Sequence, residues 1–167
     1  MTEYTSSPLA YFITFTTYGT WLHGDARGSV DPDHRVYGTP FVAPDPQRVE
    51  QTSGRRRHTS VLLNPARRKI VEEAIRDVCN HRDWTRHAMN VRRNHVHVVV
   101  SAEESPERVM NTLKSWLTRR MVEAGALPAK TKAWTRHGST RYLWNAEQVA
   151  NACRYVVEGQ GQDLTRT

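Results

Sequence analysis

The chain has 167 residues, which is enough for one domain with a hydrophobic core and too few for two domains of ordinary size. Its 24 lysine and arginine residues against 17 acidic residues give a net charge of +7, which favours a polyanionic partner. The sequence has no apolar signal segment and no run of about 18 apolar residues that would span a membrane, so we expect a cytoplasmic protein with no membrane partner. It also has no CxxC pair that would indicate a structural zinc site.

The chain begins with a predicted strand and a long loop. Residues 11–18 alternate with a period of two and are rich in β-forming residues, so they predict a strand, with residues 1–9 extended or disordered before it. Residues 19–60 are dense in glycine, proline, aspartate and arginine and show no periodicity, so they predict a loop, and loops of this length are often functional. The loop contains a run of arginines that is either solvated or contacts a phosphate backbone: Arg55, Arg56 and Arg57.

A helix and a pair of strands are predicted next. Asn64 is a capping residue and Pro65 suits the first helical position, so they begin a helix that ends near His81. Residues 84–91 predict a strand, and a short basic turn leads from it into a second strand over residues 94–100.

The last part of the chain predicts two more helices around a short extended region. A helix begins at Ser105 with the same capping pattern and ends before Gly125. Residues 132–144 predict two short extended pieces joined by a turn, and a last helix over residues 145–160 begins with a capping box. The first six elements follow a βαββαβ order, so we expect an α+β, ferredoxin-like sheet with two helices on one face, in a single domain over residues 1–167.

The most informative motif is a pair of histidines separated by one apolar residue. On a strand, His95 and His97 project to one face while Val96 and Val98 line the other. In the predicted topology they lie on a central strand of the sheet. Two imidazoles side by side can hold a divalent ion, which in turn polarises a phosphate. The alternative is a strand whose outer face happens to carry two histidines.

A tyrosine on the last helix is a candidate nucleophile. Tyr155 lies off the apolar side of this helix, so we expect its hydroxyl to be presented rather than buried. A free phenol is a weak nucleophile at neutral pH, and its target phosphate must therefore be polarised, as a metal ion on His95 and His97 would do. The alternative is a packing or interface residue. The apolar side is formed by Val149, Ala152, Cys153 and Val156.

Taken together, these features resemble the single-tyrosine HUH transposases, which include the smallest insertion-sequence transposases and the REP-associated tyrosine transposases. The HUH signature corresponds to the two histidines and Val96, and the similarity extends from about residue 10 to residue 162. Further stretches that look like the family are residues 15–25, 134–144 and 152–158.

The resemblance implies a DNA transposase that cleaves and rejoins single-stranded DNA. Tyr155 would attack a phosphodiester and form a covalent 5′-phosphotyrosine, with Mg²⁺ or Mn²⁺ held by His95 and His97 stabilising charge on the phosphate. Family members recognise DNA hairpins and form homodimers, so the resemblance implies both for this chain. Their tyrosine helix often serves the histidine pair of the partner, and the sequence leaves open whether the site forms within one protomer or between two.

The third metal ligand of the family is a glutamine four residues after the tyrosine, and here that position is Gly159. Gln160 is the preferred substitute because of its position in the motif. Glu158 and Gln162 are alternatives, and Glu158 is the harder ligand for Mg²⁺. Glycine at this place is expected to fray the helix.

Candidate DNA contacts flank the histidine strand or lie on the polar face of the second long helix, and each is alternatively a solvated charge: Arg92, Arg93, Lys114, Arg119 and Arg120. Trp21 or Trp134 would stack on an unpaired base if it is not part of the core. Two other functions remain open. One is a non-catalytic hairpin-binding relative, and the other is a metal-dependent phosphoesterase that uses water in place of Tyr155.

Overall fold

The computed structural model describes residues 7–19 and 60–158, and this part of the chain forms four strands and three helices. Their order confirms the predicted βαββαβ pattern followed by a last helix. The predictions for residues 1–6, for most of the long loop and for the residues after Glu158 lie outside the described residues. The elements are β1 (Ala10–Thr16), α1 (Pro65–His81), β2 (Thr85–Val91), β3 (His95–Ser101), α2 (Pro106–Glu123), β4 (Ser139–Leu143) and α3 (Ala146–Glu158).

The four strands form one antiparallel sheet in the order β2-β3-β1-β4, which is the predicted ferredoxin-like arrangement. The histidine strand β3 is therefore central, with β1 on one side and β2 on the other. In this register His97 lies opposite Thr14 of β1 and opposite Asn90 of β2. Directly opposite residues of antiparallel strands point to the same face, so these three side chains share one face of the sheet.

Helices α1 and α2 cover the other face of the sheet. Each begins as the sequence predicts: Asn64 Oδ1 accepts from the N–H of Arg67 at 2.9 Å, and Ser105 Oγ accepts from that of Arg108 at 3.3 Å. Together with the valines of β3, both helices enclose the larger core, whose fully buried members include Phe15, Ile13, Ile75, Leu113, Leu117, Met121, Val71 and Val98. This cluster supplies most of the apolar burial that holds the sheet and the two helices together.

Helix α3 packs on the face that carries the histidines. It buries Ala152 and Val156 against the sheet, in a smaller cluster completed by Ala10, Ala88, Val99 and Leu143. The predicted capping pattern is present, because the N–H of Gln148 donates to Asn145 Oδ1 at 2.9 Å. Gln148 Oε1 in turn accepts from the N–H of Trp144 at 2.7 Å, which fixes the entry of the chain into the helix.

The region before β4 differs from its prediction. Instead of a short strand, it forms a single bridge between Trp134 and Thr17. Trp134 is 6% exposed, packs edge-on against Phe15 with ring centroids 4.9 Å apart, and donates from Nε1 to the hydroxyl of Thr118 at 3.0 Å. The predicted stacking of Trp134 on a DNA base is therefore wrong, because the ring of Trp134 belongs to the core. Trp21 lies outside the described residues.

No helix in the described ranges, 7–19 and 60–158, has the length and apolar character needed to cross a membrane.

Candidate active site

The histidine pair of β3 faces helix α3. The ring centroids of His95 and His97 lie 4.7 Å apart, with the ring planes at 79°. His97 is buried at 8% exposure, whereas His95 is half-buried at the end of the strand. The alternation of β3 thus brings two imidazoles together at the edge of a partly covered face, as the sequence predicts.

Each imidazole is oriented by a hydrogen bond at its Nδ1 atom. His95 Nδ1 lies 2.7 Å from Asn94 Oδ1, and since an amide oxygen only accepts, the proton is on Nδ1. In the neutral form of His95 the lone pair is then on Nε2. His97 Nδ1 lies 2.7 Å from the hydroxyl of Thr14, which leaves its Nε2 on the opposite side of the ring. Histidines that bind metals are commonly oriented through the other ring nitrogen in this way, so the pair fits a metal ion.

The buried position of His97 also favours its neutral form. Burial, with smaller contributions from the neighbouring His95 and Arg92, lowers the pKa of His97 to about 3. At neutral pH His97 is therefore in the neutral form that binds metal ions.

Tyr155 lies beside His97 of its own chain. The side chain is 49% exposed, which agrees with the expectation from the helical wheel. Its ring centroid is 6.1 Å from that of His97 and 5.9 Å from that of Phe12, and the ring of Phe12 is 5.6 Å from His97. The three rings form one contiguous cluster in which the phenol of Tyr155 is both held and accessible.

The sequence matches the family model described as "Transposase IS200 like" over residues 53–158, more than half of the chain. The chain belongs to the IS200-like transposase family. This confirms the predicted family and identifies a transposase, an enzyme class that cleaves and transfers DNA strands. No curated protein matches the sequence significantly.

Two solved structures are similar to this transposase. A REP-associated tyrosine transposase bound to a REP hairpin aligns with a TM-score of 0.50 at 14% identity, covering 93% of this chain and 70% of that one. A provisionally assigned transposase from Deinococcus radiodurans R1 aligns with a TM-score of 0.45 at 14% identity, covering 93% of this chain and 94% of the other. The first of these likenesses supports the fold of the transposase described above.

Of the predicted metal ligands, the two histidines lie together on β3. No group of three histidine, cysteine, aspartate or glutamate side chains with the spacing of a metal site occurs within residues 7–19 and 60–158. Of the alternatives for a third ligand, Glu158 is exposed on the last turn of α3. Gln160 and Gln162 lie outside the described residues.

The predicted DNA-contacting arginines lie on two different sides of the molecule. Arg92 and Arg93 form the turn before the histidine strand, half-buried and exposed respectively. Arg119 and Arg120 lie on α2, which packs on the opposite face of the sheet. There Arg119 stacks over the ring of Trp116, and the guanidinium of Arg120 lies 2.8 Å from Asp77 of α1. Arg55, Arg56 and Arg57 lie outside the described residues.

Lys114 requires a correction. The sequence places it on the polar face of α2 as a DNA contact, but the side chain is 9% exposed and its ammonium donates to three backbone carbonyls. These carbonyls belong to Thr135, Arg136 and His137, at distances of 2.9, 3.3 and 3.3 Å. Burial lowers the pKa of Lys114 to about 8. Lys114 thus fixes the chain before β4 instead of facing a phosphate.

Three residues that surround the site were not singled out from the sequence. Thr14 orients His97, Phe12 packs against both His97 and Tyr155, and Asn90 contacts α3. The alternation of β1 was a usable signal for the first two, because Phe12 and Thr14 fall on the face opposite Tyr11 and Ile13. The sequence carries no such signal for Asn90, because its role depends on the register between β2 and β3, which places it opposite His97.

Proposed function

We propose that this transposase cleaves and rejoins single-stranded DNA with Tyr155 as the nucleophile. The observation that carries the proposal is the position of the phenol, half exposed and in ring contact range of His97 in the same chain. A tyrosine with a purely structural role has no need of an oriented pair of imidazoles beside it. We therefore propose that the site forms within a single protomer.

The proposed reaction is a transesterification. The Tyr155 oxygen attacks the phosphorus of a phosphodiester, a bond forms between them, and the bond from phosphorus to the 3′ oxygen breaks. The phenol gives its proton to solvent, and the departing 3′ oxygen takes one up as a hydroxyl. The product is a 5′-phosphotyrosine, which a 3′-hydroxyl later attacks in the reverse sense, so no external energy source is required.

The residues proposed to hold a divalent ion, Mg²⁺ or Mn²⁺, are His95 and His97 through their Nε2 atoms, with Gln160 as the third ligand and Glu158 or Gln162 as alternatives. An ion bound there would withdraw charge from the phosphate oxygens. Thr14 and Asn94 support this role because they orient the two rings from the other nitrogen.

The proposed substrate is a DNA hairpin with a single-stranded flank. The similar structure of a REP-associated transposase holds a REP hairpin, and the net charge of +7 of this chain suits a polyanion. Arg92 and Arg93, in the turn before the histidine strand, are proposed contacts near the histidines, and Arg119 and Arg120 are proposed as more distant ones. The three loop arginines are also proposed to contact DNA. We include the homodimer of the family as part of the proposal.

The decisive experiment is capture of the covalent adduct. The protein is incubated with Mn²⁺ and a pool of labelled hairpin oligonucleotides with randomised single-stranded flanks, then separated under denaturing conditions. We expect a labelled protein band that is absent in Tyr155→Phe and present in Tyr142→Phe, a matched change at another exposed tyrosine. An adduct that persists in Tyr155→Phe would contradict the assignment of the nucleophile.

The same experiment separates the alternative functions. Cleavage that persists in Tyr155→Phe but disappears in His97→Ala would indicate a phosphoesterase that uses water. Binding without cleavage across the whole pool would indicate a hairpin-binding relative that has lost its chemistry. The glycine at position 159 favours this second candidate, since it replaces the glutamine that the family uses there.

A further inference from the structure

Asn90 lies in the same row of the sheet as the histidine that contacts Tyr155. It is the β2 partner of His97, as Thr14 is the β1 partner. Its side chain therefore projects from the sheet toward α3, immediately beside the ring of His97. Asn90 is half-buried there.

The side chain of Asn90 bonds to the helix that carries the tyrosine. Its Nδ2 atom donates to the carbonyl oxygen of Val156 at 2.9 Å. Val156 directly follows Tyr155 on α3. Asn90 thus supplies a donor to a helix end at a position next to the candidate nucleophile.

The apolar contacts of α3 with the sheet constrain its position along the helix axis less strictly than a hydrogen bond does. Ala152 and Val156 are buried in an apolar cluster, and such contacts have no directional preference. The ring contacts of Tyr155 with Phe12 and His97 are likewise tolerant of small shifts. A hydrogen bond, in contrast, requires both a distance and an angle.

We infer that Asn90 is a positioning residue, which holds the C-terminal turn of α3 so that Tyr155 lies beside His97. This inference rests on the proposed function, because the position of Tyr155 affects a rate only if Tyr155 is the nucleophile. A displacement of about 1 Å of a reacting group can cost on the order of 100-fold in rate.

The test compares Asn90→Ala with Asn145→Ala. Each change removes one side-chain hydrogen bond at an end of α3, but Asn145 lies at the end remote from Tyr155. Single-turnover adduct formation is measured with Mn²⁺ and a hairpin oligonucleotide that the wild-type protein cleaves, together with the affinity for that oligonucleotide. We expect the rate at saturating DNA to fall about 10- to 100-fold in Asn90→Ala and less than about threefold in Asn145→Ala, with the affinity unchanged in both.

A second readout follows the position of the ring without any reaction. In NMR spectra of the protein without metal and DNA, the cross-relaxation signals between the Tyr155 ring and the rings of Phe12 and His97 should weaken in Asn90→Ala and persist in Asn145→Ala. Equal rates and equal ring signals in the two variants would overturn the role of Asn90 and leave the proposed function intact. If the wild-type protein forms no adduct that depends on Tyr155, the proposed function fails. The ring signals alone then decide whether Asn90 positions the tyrosine.

Discussion

The two faces of the sheet are built differently. Toward α1 and α2, the sheet buries large side chains such as Phe15, Ile75 and Leu117, each at most 1% exposed. Toward α3, it carries polar groups in a row, and helix α3 buries two small or β-branched residues against it. The first face provides the apolar burial that stabilises the fold, and the second leaves room for groups that bind and react.

This difference shows how a small domain can keep polar groups oriented beside a stable core. Polar groups of the α3 face are paired by hydrogen bonds. Thr14 bonds to His97, and Asn90 donates to the carbonyl of Val156. These hydrogen bonds keep them ordered with little apolar cover. The contrast between the faces predicts that changes on one face alter stability and changes on the other alter chemistry.

Leu117→Ala should have the largest effect on stability, since Leu117 is fully buried between α2 and the sheet. Removal of a buried leucine side chain costs about 2–5 kcal/mol of unfolding free energy, which urea denaturation would measure. Adduct formation per folded molecule should be unchanged. A folded Leu117→Ala protein that forms no adduct would contradict the claim that one face determines stability and the other determines chemistry.

Gly138→Ala should cost about 3 kcal/mol and affect both faces. A Cβ atom at this position would lie 2.5 Å from the carbonyl oxygen of Thr14 and 2.6 Å from the sulfur of Met110. The backbone of β1 would have to shift, and the hydroxyl that orients His97 would shift with it. Thermal unfolding and Mn²⁺ affinity should both change, whereas unchanged Mn²⁺ affinity would indicate that β1 absorbs the shift without moving Thr14.

His97 should make the protein less stable in acid. Its pKa is lowered to about 3 in the folded protein, so below the ordinary value of 6.5 the unfolded chain binds a proton that the folded chain does not. The contribution of His97 to the free energy of unfolding is complete above pH 6.5 and is lost as the pH falls toward 3. At pH 5 the loss is about 2 kcal/mol. Urea denaturation at pH 7.5 and pH 5 measures the loss.

The acid loss should be smaller in His97→Gln and unchanged in His137→Gln, which alters an exposed histidine. An equal loss in His97→Gln would assign the acid sensitivity to other groups.

The smallest effects are expected for surface arginines. Arg120→Gln should cost about 0.2–1 kcal/mol, because the ion pair with Asp77 joins side chains that are 41% and 50% exposed. Arg93→Gln should leave the free energy of unfolding unchanged but weaken hairpin binding. The number of ions released on binding, read from the salt dependence of the affinity, should fall by about one. Binding titrations at several salt concentrations distinguish the two arginines, and a larger binding loss in Arg120→Gln would place the DNA across α2.

Much of this architecture follows from local sequence patterns. The capping residues Asn64, Ser105 and Asn145 mark three helix starts correctly, because capping depends on neighbouring residues. The alternation of β3 correctly separates the histidines from the valines. The helical wheel of α3 correctly places Tyr155 away from the apolar side, since the face of a residue is set by its position along one element.

The failures involve contacts between distant parts of the chain. Lys114 looks like a surface residue on the wheel of α2, but residues 135–137 pass over it and direct their carbonyls at its ammonium. Trp134 is drawn into the core by Phe15 and Thr118. Asn90 acquires its role from the register between β2 and β3. None of these contacts leaves a periodic signal in the sequence.

The turn between β2 and β3 decides which residues of β3 face the tyrosine. It is closed by the N–H of Arg92, which donates to the carbonyl of His95 at 2.8 Å. Side chains alternate along a strand, so a one-residue slip of β3 would turn both imidazoles toward the helical core and present valines to Tyr155. The length of this turn is thus under as strict a chemical constraint as the histidines themselves. A relative with an insertion or deletion here would retain the recognisable motif while losing its reactivity.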